Sequence, residues 1–430
     1  MILIVYTTSY RKGSDMFRIA SETLRNEFKQ QGNNEVVCRG ILGKKDLVEL
    51  FHTIQKELKT IDELHFIGHS GMYGPMYGTV NYPEQFSPYE LRTLQIPFSN
   101  NAKAYFHCCR SARWFAPYFA EQFNVETFGY HWYTAFSTDR TKFKKANSSS
   151  KQIFAVGCPG KKSHGIVASI RKYSGTMTLE KIKSFKGNEI GKDSSYNKVA
   201  HLYAEAFKDI KVRHDEWHWL NKHLPKDKNI KVLDLGCGNG SLLKELSPSI
   251  SSGIGIDASE SIINYAIKLN ESNSNIEFKV INELVLPVHD QSIDVVISML
   301  SFRYLDWDPI MNEIKRVLKP GGKVLIIDMV NVPVKWHEIH LFLYDKIINY
   351  IQRLKNPQFY NELKKLVTSP DWANMLKYNP IRSEHEMKWY LESRFPGKKI
   401  EKINIGYNSC IIAFDSGNIE NISNINLSYP

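Results

Sequence analysis

Residues 231–246, KVLDLGCGNGSLLKEL, set a hydrophobic strand, a turn carrying three glycines and a helix in direct succession. A strand that feeds a helix through so short a turn belongs to a parallel sheet with crossover helices on its faces. Glycines 236, 238 and 240 let the backbone approach a ligand closely, and the helix that follows offers free amide groups at its start. GIGIDAS, residues 253–259, then supplies a second strand ending in Asp257, seventeen residues past Gly240, where a carboxylate can accept both hydroxyls of a ribose. A dinucleotide site would read GxGxxG, whereas position 241 is Ser. An acid, Asp234, precedes the first glycine, placed to meet a positively charged amino-acid group.

This pattern resembles the class I S-adenosylmethionine-dependent methyltransferases, in which an acid-x-Gly-x-Gly-x-Gly turn holds the methionine part of the cofactor. The resemblance runs in order through residues 195–415. VINELVLPV resembles the third strand and its Leu-Pro stretch, with Asn282 where many relatives carry an Asp for the adenine amino group. SIDVVISMLSFRYL resembles the fourth strand and its loop, and IKRVLKPGGKVLIID the following helix, Lys-Pro-Gly-Gly turn and fifth strand. KIEKINIG and SCIIAFD resemble the antiparallel pair that closes the sheet. The implied fold is a Rossmann-like seven-stranded sheet and the implied cofactor is S-adenosylmethionine. By position in those motifs, Asp234, Gly236, Cys237, Gly238 and Gly240 face the methionine end of the cofactor, and Asp257, Ala258, Asn282, Glu283 and Ser298 the rest of it.

Methyl transfer from a sulfonium needs alignment of the acceptor more than a covalent catalyst, so the family implies no obligatory general base. His337 and His340 are candidates to deprotonate an acceptor hydroxyl, although histidines on an amphipathic helix more often line a surface. Arg303 and Tyr304 are expected to face the acceptor. SMLSF stands where amino-directed nucleic-acid methyltransferases carry an Asn or Asp, two prolines and an aromatic, which disfavours base methylation and favours a small-molecule acceptor. The helices between residues 333 and 395, with Trp336, Phe342, Tyr350 and Trp372 among their aromatics, are expected to cover that acceptor or to form core.

The first 180 residues alternate strands and helices, implying a second α/β domain. ELHFIGHSG and KAYFHCCRS are apolar strands that deliver His69 and then Cys109. The C-terminal ends of adjacent parallel strands share one edge, so a base and a nucleophile can meet there. This resembles the caspase-like cysteine peptidases, particularly the CHAT branch, whose two histidines fall on His65 and His69 and whose Ala-Cys-Arg-Ser falls on Cys108 to Ser111. It implies a caspase-like α/β sandwich, with Cys109 as nucleophile and His69 as base. Ser70 before the glycine and Cys108 in place of alanine depart from the pattern. GHSGM also resembles the nucleophile elbow of an α/β-hydrolase with Ser70 attacking, but Met72 occupies the place of its second glycine. Taken singly, Cys109 and His69 also fit an inert cysteine at a strand end and a loop histidine.

A chain of 430 residues suits two domains. The expected division is 1–180, a linker at 181–194 that includes FKGNEIGKDS, the second α/β domain at 195–415, and a flexible, poorly ordered tail at 416–430. Six cysteines without a CxxC spacing point to a reducing, cytoplasmic setting, no disulfide framework and no metal site. The net charge of +11 is spread among many Asn and Ile residues, so solvated lysine faces are favoured over a nucleic-acid footprint. No stretch has the apolar length to span a bilayer, and no membrane role is expected. Two function classes stand: a methyltransferase behind a caspase-like domain that cleaves or binds a protein, and a regulatory protein whose cofactor fold is vestigial.

Overall fold

The computed structural model describes every residue except 34, 72, 80–82, 87, 161–165, 187–195, 282–284, 306, 333, 379–380, 407–408, 421–424 and 426–430. Asn282 and Glu283, the core of the expected linker and most of the expected tail therefore lie outside the described residues. The chain forms two compact units, one built on Met1–Lys192 and the other on Asp193–Leu376 with Ile381–Pro430.

In the first unit, strands β1 (Ile2–Thr7), β2 (Val36–Ile41), β3 (Ile61–Ile67), β4 (Phe98–His107), β5 (Glu126–Gly129) and β8 (Lys183–Phe185) form one sheet in the order β8-β5-β4-β3-β1-β2. All neighbours run parallel except β8, which is antiparallel to β5. Helices α1 (Ser14–Gln30) and α2 (Lys44–Lys56) cover opposite faces. β1 shows why. Its alternate side chains separate into two layers, with Ile2 and Ile4 packed beside Phe17, and Leu3 and Val5 beside Phe51 and Phe66. Helices α3 (Pro88–Thr93), α4 (Phe115–Phe123) and α5 (Ile166–Tyr173) complete the labelled helices of this unit.

Two sequence expectations are corrected here. ETFGYHWYTAF reads as one strand, but it divides into β5 and β6 (Tyr133–Ser137), and β6 pairs antiparallel with β7 (Phe154–Cys158) in a separate two-stranded sheet. The stretch read as a linker from residue 181 begins instead with edge strand β8, whose Phe185 is buried against Ala112, Ala116 and Ala120. Three residues with one apolar member carry too little periodicity to be read as a strand.

The second unit is a seven-stranded sheet of β9 (Lys231–Leu235), β10 (Ser252–Asp257), β11 (Ile276–Val280), β12 (Ile293–Met299), β13 (Leu318–Val330), β14 (Glu401–Ile405) and β15 (Cys410–Asp415). Their order is β11-β10-β9-β12-β13-β15-β14, parallel except at β15, which runs antiparallel to both its neighbours. The order reverses between β9 and β12, so the C-terminal ends of β9, β10 and β12 open on one crevice. β12 again sorts its side chains, with Val296 in one layer and Val295 and Ile297 in the other. Around the sheet lie α6 (Ala200–Ala206), α7 (His214–His223), α8 (Ser241–Leu246), α9 (Glu260–Leu269), α10 (Trp307–Val317), α11 (Ile339–Lys355), α12 (Pro357–Thr368), α13 (Pro370–Tyr378) and α14 (Glu384–Arg394).

Candidate functional site

The crevice of the second unit is made by the turn between β9 and α8. Gly236, Gly238 and Gly240 all have left-handed φ, at 75°, 54° and 73°. A Cβ on Gly236 would lie 2.3 Å from Ser301 Cβ, and one on Gly240 would lie 2.6 Å from the Phe278 ring, so glycine is required at both for conformation and for space. Cys237, between them, is buried. Its thiol is held well above the ordinary thiol range by burial and then by Asp234 and Asp257, so it acts as a small apolar residue.

Asp234 is 2% exposed, and its Oδ1 has no hydrogen-bond partner among the described residues. Burial, and then the charge of Asp257, raise its carboxyl to about 8. A buried acid without a partner is costly unless something completes it. Asp257, at the end of β10, accepts hydrogen bonds from Gly238 N and Ser259 N, both at 3.0 Å. Burial raises its carboxyl, and these amides, with that of Ala258, pull it back down. The carboxylate is thus fixed at the glycine turn, with the exposed Ala258 beside it.

Ser298 is committed inside the protein, donating to Leu235 O at 3.1 Å and meeting Ser301 Oγ at 2.7 Å. It ties the ends of β9 and β12 together. The next loop is anchored by Asp328 of β13, fully buried, which pairs with the Arg303 guanidinium and accepts from Arg303 N at 2.7 Å. Arg382 donates to Arg303 O at 3.2 Å.

Sequence reasoning passed over the roof of the crevice. Tyr203 of α6 stands over the turn, 3.2 Å from where a Cβ on Gly238 would be. Asn239 Nδ2 clamps the helix by donating to Ala204 O at 3.3 Å and Phe207 O at 3.0 Å. Tyr196 lies edge-on to Tyr203 and to Trp372, and its hydroxyl meets that of Tyr304 at 3.3 Å. The available signal was the Tyr203, Ala206 and Phe207 face of an amphipathic segment just ahead of the glycine turn. His337, in the short turn before α11, and His340, at the start of that helix, are exposed and outside this cluster.

In the first unit, β3 and β4 pair with Ile67 opposite His107, so His69 and Cys109 each lie two residues beyond matched strand ends. No hydrogen bond joins them among the described residues. His69 Nε2 meets Lys12 O at 2.9 Å, which fixes the proton on that nitrogen and leaves the lone pair on Nδ1. Burial lowers the imidazole pKa, the Lys12 carbonyl opposes this and Arg11 adds to it, favouring the neutral ring a base needs. Cys109 Sγ lies 3.5 Å from both Thr134 Oγ1 and Thr134 N. Ser70 donates to the Cys109 carbonyl, and Arg110 adopts a left-handed φ of 60° directly after it. Cys108 is fully buried, and burial raises its thiol. His65 is bound up with Glu63 at 3.0 Å and His107 at 3.2 Å, and stacks on Tyr105.

Residues 226–388 match the family model described as a methyltransferase domain. The second unit thus contains a methyltransferase domain of the class whose cofactor is S-adenosylmethionine. Over 151 residues the chain is 36% identical to the demethylmenaquinone methyltransferase of Lactococcus lactis, covering 33% of this chain and 60% of that protein. It is 30% identical over 120 residues to a sterol 4-C-methyltransferase of Caenorhabditis elegans, covering 26% of this chain and 34% of the relative. A methyltransferase structure from Aquifex aeolicus aligns with 47% of this chain and 89% of its own at 20% identity and a TM-score of 0.32. The chain spans under two thirds of these two curated relatives.

Proposed function

We propose that the second unit binds S-adenosylmethionine across the C-terminal ends of β9, β10 and β12 and transfers its methyl group to a small-molecule acceptor. The observation that carries this is Asp234, a buried carboxyl whose Oδ1 has no partner among the described residues, at the foot of a turn of three left-handed glycines. An α-ammonium group completes that oxygen and a ribose diol suits Asp257, so the residues fit the cofactor at both ends. The cofactor supplies the activated methyl, and the chain supplies position. Asp234 holds the ammonium, Asp257 orients the sugar, and Tyr203 covers the turn against water. Tyr196 packs edge-on against Tyr304 and Trp372 beside the turn, and an aromatic cluster there suits a planar or apolar acceptor. The demethylmenaquinone and sterol relatives are named for acceptors of that character.

The first unit supports a second reading, a caspase-like domain with Cys109 as nucleophile and His69 as base that cleaves or binds a protein. What supports it is the sheet order with its single antiparallel edge and the matched placement of the two residues beyond adjacent strands. The competing class, a regulatory protein with a vestigial cofactor fold, predicts an empty crevice. Titration calorimetry with S-adenosylmethionine separates them. Micromolar binding is expected, lost in Asp257→Ala; a folded chain that binds nothing sinks the transferase reading.

A further inference from the structure

Helix α11 faces the wrong way for a core helix, for none of its residues is buried. Its half-buried face carries Phe342, Asp345, Ile348 and Gln352, and it is tethered where Asp345 accepts from Ile405 N at 2.7 Å. Just before the helix, Glu338 is buried and pairs with Lys402 at 2.6 Å. Its apolar stripe points to solvent. Ile339, Leu343, Ile347, Tyr350 and Leu354 recur at spacings of 4, 4, 3 and 4 along one face, and the last four are 55–67% exposed. Trp336, in the short turn that leads into the helix, is 91% exposed.

So large an outward apolar stripe marks a docking surface. Charge decides what covers it. The acids of the segment, Glu338 and Asp345, are taken up inside, whereas Lys335, Lys346, Arg353 and Lys355 are all exposed. Placed at 100° per residue, Lys346 and Arg353 flank one side of the stripe, and on the other Ile351 and Tyr344 widen it before Lys355. An apolar face with aromatic and aliphatic side chains, edged by cations and with no exposed acid among the described residues of the segment, fits the headgroup boundary of an anionic bilayer. No described helix is long and apolar enough to cross a membrane, so the helix would lie in the interface plane.

We propose that α11 and Trp336 dock the chain on the surface of an anionic membrane. The expectation of no membrane role rested on spanning length, and an interfacial helix does not need that length. Docking does not depend on whether the chain transfers methyl groups. The test uses the full chain with vesicles of phosphatidylcholine alone and of phosphatidylcholine with a quarter phosphatidylglycerol. Expected is co-sedimentation with the anionic vesicles at low salt, and quenching of Trp336 fluorescence by brominated lipid, absent in Trp336→Phe. Each cation at an anionic surface contributes about fivefold in partition, so Lys346→Gln with Arg353→Gln should weaken binding by about 30-fold. Leu343→Ser with Ile347→Ser, at exposed positions where folding is spared, should abolish the quenching. A chain that stays in the supernatant, or variants that sediment like the parent, overturn the proposal. So does a lipid-free dimer that the Leu343→Ser and Ile347→Ser change dissolves, since the stripe then belongs to a second copy.

Discussion

Asp234→Asn removes the ionisable group at the proposed ammonium site and keeps its shape. The carboxyl is raised to about 8 in the folded chain, against 3.8 as its ordinary value. The folded protein therefore holds a proton that the unfolded chain sheds, and this contribution to stability is present at low pH and lost as pH rises from about 4 to about 8. An ammonium ligand reverses the preference by pairing with the ionised form. Below pH 8 its binding must expel the proton, so affinity for S-adenosylmethionine should rise about tenfold per pH unit and flatten as pH approaches 8. At pH 8 the amide loses a charge-assisted hydrogen bond of about 2–3 kcal/mol, which weakens binding roughly 30- to 150-fold. Calorimetry at pH 6, 7 and 8, in two buffers of different ionisation enthalpy, reads both affinity and proton release. Thermal melts over the same range should show the parent falling relative to the variant. Taking that difference cancels His65 and His107, whose lowered values act with the opposite sign below pH 6.5. Affinity that is flat with pH in the parent, or equal in the two proteins, refutes the assignment of Asp234 to the cofactor's ammonium.

Two further outcomes follow from the same geometry. Gly236→Ala places a Cβ against Ser301 at a left-handed φ, and should cost about 2–4 kcal/mol in urea unfolding; an unchanged midpoint would mean that the turn relaxes. In the first unit, a thiol-directed reagent should label Cys109 well before the fully buried Cys108, and His69→Ala should slow the Cys109 reaction, whereas equally slow labelling of both thiols speaks for an inert pair.

How legible these sites were follows from what sets each feature. The glycine turn, Asp234 and Asp257 could be read directly, because left-handed backbone and strand-end acids are local properties of a strand-turn-helix. The roof of the crevice could not, because Tyr203 and Gly238 are distant in the chain and meet only in the folded protein. Ser298 reads as a cofactor ligand by position, and only the fold shows that its hydroxyl also donates to Leu235 O.

The sequence by itself determined two α/β series, the strands from their apolar runs and the conformation of the glycine turn, since these rest on side-chain period and backbone sterics within a few residues. Only tertiary structure decided that Asp234 Oδ1 has no partner among the described residues, that β8 closes the first sheet at its edge, and that α11 turns its apolar stripe outward. Periodicity marks a helix as two-faced, but which face turns inward depends on the pairing of Asp345 and Glu338 with elements distant in the chain.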